Sequence, residues 1–115
     1  MAEVQVGGIV RQSDMVRMLR GEQLLGTIFD LALDDMFWLA GRFVPTDEFA
    51  TSRPLFTEEL RLLESMEEEI TFWEEAWGRI VALGIVLDFG NGEAPLGPDD
   101  YLLHITEDNY ARLRY

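Results

Sequence analysis

Residues 57–83 read TEELRLLESMEEEITFWEEAWGRIVAL, and the fold class follows from how that stretch is taken. At about 100° per residue, Leu63, Met66, Ile70, Trp73, Trp77, Ile80 and Val81 fall within one arc of about 100°, the signature of an amphipathic helix. Thr57 is a good N-cap, and Glu58 and Glu59 sit where the helix dipole favours negative charge. Gly84 is well placed as the C-terminal cap. The reading predicts one long helix from Thr57 to Leu83 with its stripe buried against a sheet. Each large side chain then contributes on the order of 1.5–3 kcal/mol.

Upstream lie two β-rich runs, Gln23 to Leu33 and Met36 to Val44, meeting at Asp34-Asp35 as a hairpin. A two-residue loop there aligns Leu33, Leu31 and Phe29 with Met36, Trp38 and Ala40. Apolar residues occupy both faces, which predicts a central hairpin. Pro45 ends the second strand for want of an N–H. Thr46-Asp47-Glu48 starts a single helical turn that tucks Phe49 inward. Nearer the N-terminus, Val4 to Arg11 reads as a strand interrupted at Gly7-Gly8. Ser13-Asp14 either caps a short helix through Met15–Leu19, closed by Gly21, or begins another strand. Downstream, Ile85 to Phe89 is a short buried strand, and Gly90 to Pro98 is a loop. Tyr101–Thr106 and Tyr110–Tyr115 close the chain as a hairpin about Asp108-Asn109, residues that tolerate left-handed turn geometry. The expected architecture is α+β: an antiparallel sheet of five or six strands with one long amphipathic helix packed on one face.

Composition narrows the function classes. The 115 residues fit a single domain, 1–115. Apolar residues make up 48 % and include three Trp, three Tyr and seven Phe, enough for a core. No Cys is present, so a disulfide scaffold, a thiolate zinc site and a cysteine nucleophile are excluded. The N-terminus lacks a signal-peptide pattern, no run is long enough to span a bilayer, and a cytoplasmic location is expected. Twenty-two acidic residues against nine cations, all Arg, leave a net charge of −13. Nucleic acid and anionic membranes are therefore expected to be repelled, whereas a basic protein partner is attracted and steered.

Candidate sites are few. On the outer helix face, Glu64, Glu68 and Glu75 surround Phe72, and Arg61 and Arg79 lie among them. A solvated face is the ordinary reading, with Glu75–Arg79 an i,i+4 pair. An aromatic ringed by carboxylates also has the composition of a binding anchor. Those four residues, with Trp38, form the expected partner-binding set. The Glu67–Glu69 run with Glu74 and Glu75 lacks the oxygen spacing of a calcium loop, so no metal is expected. Asp34-Asp35 and Asp47-Glu48 are explained by turns and caps. His104 is the sole histidine and reads as a partly buried strand residue, because Ser13, Ser52 and Ser65 sit in no nucleophile elbow. Gly90-Asn91-Gly92 and Gly97-Pro98 lack P-loop spacing. No catalytic residue and no cofactor are expected.

The stretch Asp34–Thr46, continuing through Phe49 and Arg53–Phe56, together with Leu102–Ile105 and Arg112–Tyr115, resembles a group of short hypothetical actinobacterial proteins. The resemblance spans about Leu25 to Tyr115 and implies a bacterial origin but no activity, cofactor or site residue. The residues thus point to a non-catalytic, immunity- or inhibitor-type module, monomeric or homodimeric, docking an acidic surface on a basic partner. The alternative is a small-molecule-binding protein or enzyme with a site between helix and sheet near His104, using Tyr110, Arg112 and a carboxylate. A further alternative is self-assembly through an exposed edge strand.

Overall fold

The structure, a computed structural model, describes residues 15–65, 70–90 and 92–115. Among the described residues it is an α+β arrangement of six antiparallel strands and two helices. Strand β1 is Val16–Arg20, β2 Gln23–Asp35 and β3 Trp38–Pro45. A 3₁₀ turn, Asp47–Thr51, leads into helix α1, Arg53–Leu63; helix α2 is Ile70–Val81. Strands β4 (Ile85–Asp88), β5 (Leu102–Ile105) and β6 (Tyr110–Arg114) follow. The sheet order is β4-β1-β2-β3-β6-β5. The sheet curls, and Phe89 beyond β4 meets Tyr115 beyond β6 at a ring separation of 5.3 Å.

The expected single helix is replaced by two. Trp73 Nε1 donates to Glu59 Oε2 at 2.7 Å, although fourteen residues along one straight helix span about 21 Å. The chain must therefore reverse between them. Leu62 O accepts the backbone N–H of Ser65, and Ser65 Oγ also donates to it, which closes the last turn of α1. Helix α1 also starts earlier than Thr57. Pro54 stands in its first turn, where the missing N–H costs nothing. Gly84 does end the second helix, with φ +72.

The strands follow the pattern of the sequence with two corrections. The β2–β3 ladder runs from Phe29↔Arg42 to Ala32↔Ala40, leaving one extra residue on β2. Asp30, at φ 59, absorbs it as a bulge. The bulge lets Ile28 and Leu31 both turn into the core despite their odd spacing. A second slip follows Leu33, so the turn is Met36-Phe37 rather than Asp34-Asp35, with Asp35 Oδ1 accepting the Met36 N–H at 2.7 Å. The segment after Asp14 resolves as strand β1, and the strand expected at Val4–Arg11 lies outside the described residues.

The core fills the curl. Val16, Met18, Ile28, Phe43, Leu87, Leu103, Ile105 and Leu113 come from the sheet, and Phe56 and Ile80 from the helices. Phe49 turns inward from the 3₁₀ turn, with its ring 4.9 Å from Phe43 and 5.6 Å from Phe56. The buried arc of α2 is rotated from the expected one. Ala76 and Ile80 are its centre, whereas Ile70 is 51 % exposed.

Candidate functional site

Three features of the molecule are candidates for function, and the chain brings each together by a different route.

The first is a buried carboxylate–imidazole pair. Glu59 has no solvent exposure, and the His104 side chain has 9 %. The two Glu59 oxygens lie 3.0 and 2.9 Å from His104 Nδ1. Trp73 Nε1 supplies another donor. An indole N–H can only donate and an ionised carboxylate can only accept, so an ionised Glu59 takes the Trp73 N–H and pairs with the His104 tautomer that carries its proton on Nδ1. The Trp38 ring stacks on the imidazole at 5.2 Å. A carboxylate-oriented imidazole is the base half of a hydrolytic relay. Such a relay also needs a nucleophile. The chain has no Cys, and among the described residues no hydroxyl hydrogen-bonds to His104. Tyr110 is exposed on β6, and Arg112 faces Asp34 at 3.5 Å. What the arrangement does is tie three elements, α1, α2 and β5, at one buried point.

Glu59 was invisible as a site residue when taken only as a first-turn acid. Its signal is on the helical wheel of α1 once the start moves to Arg53. At about 100° per residue it falls between Leu55 and Leu63, inside the apolar arc.

The second feature is a surface groove between α1 and the β5–β6 turn. Two adjoining depressions of about 410 and 490 Å³ share Thr57 and Glu107. Leu60 and Pro54 provide apolar lining, and Glu58, Glu64, Glu107 and Asp108 provide carboxylates. The two cations of the groove are engaged. Arg53 donates to Asn109 Oδ1 at 2.6 Å and Thr106 O at 3.4 Å, and lies over the Phe49 ring. Arg61 grips both Glu58 oxygens at 3.0 and 2.5 Å, which holds that carboxyl below its usual range. Among the described residues Glu64 and Glu107 make no ion pair.

The third feature is the tip of the β2–β3 hairpin. Leu33, Met36 and Phe37 are 69, 76 and 62 % exposed. The Arg114 guanidinium lies over the Phe37 ring at 5.5 Å and the Trp38 ring at 6.0 Å. The Arg112 guanidinium also lies over the Trp38 ring, at 5.1 Å.

The expected partner-binding residues are thus scattered. Glu64 is exposed on the groove rim, and Phe72 and Glu75 are exposed on α2. Trp38 belongs to the hairpin end, packed between His104 and two arginines, and is not a free anchor. Glu68 lies outside the described residues. Among the described residues no cluster of three or more His, Asp or Glu can hold a metal ion, and no helix is long and apolar enough to cross a membrane. Comparison with protein-family models, with curated proteins and with solved structures finds no significant match in any of the three.

Proposed function

We propose that the protein is a non-catalytic binding module whose acidic surface docks on a basic protein partner. The observation that carries this reading is the groove along α1, where Glu64 and Glu107, without an ion pair among the described residues, stand beside apolar lining. A Lys or Arg side chain has the matching form, an aliphatic stem that lies on Leu60 or Pro54 and a charged head that reaches Glu64 or Glu107. The net charge of −13 adds long-range steering toward such a partner. Phe72, with Glu75 beside it on α2, is a further apolar point on the acidic surface. The Glu59–His104 pair supports a structural role for the one histidine, because its imidazole is covered by Trp38 and held by a buried carboxylate.

The test is binding of labelled peptides of equal length that are basic, neutral or acidic, followed by fluorescence anisotropy at low and high salt. The basic peptide is expected to bind alone, to weaken as salt rises, and to lose affinity with the double variant Glu64→Gln, Glu107→Gln. Equal binding of all three peptides, or indifference to salt and to the double variant, sinks the reading.

A further inference from the structure

The hairpin tip carries unmatched charges of both signs beside its exposed apolar residues. Asp35 accepts only the backbone N–H of Met36 and makes no ion pair among the described residues. Arg114 is held by the Phe37 and Trp38 rings and likewise has no carboxylate partner. In a chain with 22 acidic residues, an arginine left without one is a donor fork in search of a carboxylate. Asp35 pairs with Trp38 across the turn, and Arg114 lies over that same Trp38, so the two charges share one end of the sheet without meeting. Asp34 and Arg112 add a balanced pair at 3.5 Å. The tip is therefore locally neutral on a molecule that is elsewhere strongly negative.

We propose that two copies of this chain associate through their hairpin tips in an isologous dimer. Met36 and Phe37 pack across the two-fold axis, and Asp35 of each copy meets Arg114 of the other. A two-fold contact requires a surface that complements itself: if one residue meets a second, the second meets the first. Apolar anchors flanked by one free acid and one free base meet that requirement, and exposed apolar patches of this kind mark association sites. Local neutrality permits the approach that the net charge opposes elsewhere. The surface is also independent of the α1 groove. Arg42↔Tyr110 and Leu39↔Leu113 set the register of β3 and β6, so the β5–β6 turn lies at the opposite end of those strands from Met36-Phe37. A dimer leaves both grooves open.

The experiment is sedimentation velocity across a concentration series, at low and high salt, on the full chain. The wild type is expected to shift from monomer to dimer with concentration and to dimerise more readily at high salt, which screens the repulsion between two acidic bodies. That sense is opposite to the salt response of groove docking, so the two readings fail separately. Phe37→Glu, Asp35→Arg and Arg114→Asp are each expected to weaken the dimer by about tenfold or more. All three positions are at the surface, and circular dichroism confirms that the variants remain folded. Mixing Asp35→Arg with Arg114→Asp is the decisive arm, since only a reciprocal contact restores both ion pairs in the mixed dimer. A wild type that stays monomeric throughout, dimers indifferent to all three substitutions, or a mixture no tighter than its components overturns the proposal.

Discussion

Glu59 reaches His104 from the buried centre of α1, both of its carboxylate oxygens within 3.0 Å of the same imidazole nitrogen, Nδ1. Trp73 Nε1 approaches one of those oxygens from α2. A carboxylate taken fully out of water is tolerated only where donors replace its hydration, and here two ring N–H groups do so. The bonds come from residues 59, 73 and 104, so they close two long loops and fix how the helical pair sits on the edge strand β5. The stacked Trp38 ring excludes water from the imidazole face and raises the strength of the contact.

Removing the carboxylate while leaving its donors is therefore expected to be costly. Glu59→Ala strands the His104 and Trp73 N–H groups in a dry site and opens a cavity, a loss on the order of 3 kcal/mol. The measurement is urea denaturation followed by tryptophan fluorescence. Glu59→Gln keeps the volume and one acceptor, and is expected to fall between the variant and the wild type. If Glu59→Ala is as stable as the wild type, the tie contributes nothing and the helical pair is held by apolar packing alone.

How far the sequence exposed this arrangement depended on whether a local signal stood at each decision. The β5–β6 hairpin was legible because Asn109 can take φ 66 and strand-forming residues flank it. Gly84 marked a helix end and Phe49 an inward turn for similarly local reasons. The helix break was not legible, because residues 64–69 hold no Gly or Pro and are mostly good helix formers. What separates the helices is tertiary: Glu59 and Trp73 bond only if the chain folds back. The same hidden contact concealed the buried pair, since a glutamate near a helix start has a sufficient explanation in the dipole. The hairpin turn was displaced by the second register slip, after Leu33, which no alternation pattern announces.

Tyr101 is placed to make the fold sensitive to alkali. Its hydroxyl donates to Ile85 O at 2.8 Å, and burial pushes its ionisation well above the ordinary tyrosine range. A group whose folded value is raised contributes stability that is complete below the unfolded value, about 10, and is lost as pH rises beyond it toward the folded value. The protein is thus expected to lose stability progressively above about pH 10. Tyr101→Phe gives up about 1 kcal/mol of hydrogen bonding at neutral pH but has a flatter alkaline profile. Chemical denaturation at several alkaline pH values compares the two, and parallel profiles refute the assignment.

Two glycines distinguish crowding from backbone strain. A Cβ on Gly41 would stand 2.6 Å from Phe29 O and 2.9 Å from Ile28 Cγ2, so neighbouring backbone must move. Gly41→Ala is expected to cost about 2–3 kcal/mol. At Gly84 a Cβ meets nothing within 4 Å, and only φ +72 resists it, so Gly84→Ala is expected to cost about 1 kcal/mol. Thermal melts rank the pair. The reverse order would mean that β3 does not press on β2 at this point.

Asp88 contributes on the acid side through a bond between distant parts of the chain. The backbone N–H of Gly90 donates to Oδ1 at 2.9 Å, and Arg17 Nη2 donates to Oδ2 at 2.6 Å. Both hold the carboxyl below its ordinary value, the Gly90 bond more strongly. A depressed carboxylate contributes stability that is present above the unfolded value, about 3.9, and is lost as pH falls through the folded one. Acidification also relieves the self-repulsion of a chain with net charge −13, which acts in the opposite sense. The wild type alone therefore cannot isolate Asp88. The difference between wild type and Asp88→Asn cancels the shared background: the variant is expected to be less stable at neutral pH, with the gap closing as pH drops below about 4. Because β4 is held at the edge of the sheet by β1, hydrogen exchange at Leu87 and Asp88 is expected to quicken in the variant at neutral pH. A gap independent of pH would assign the loss to packing rather than to charge.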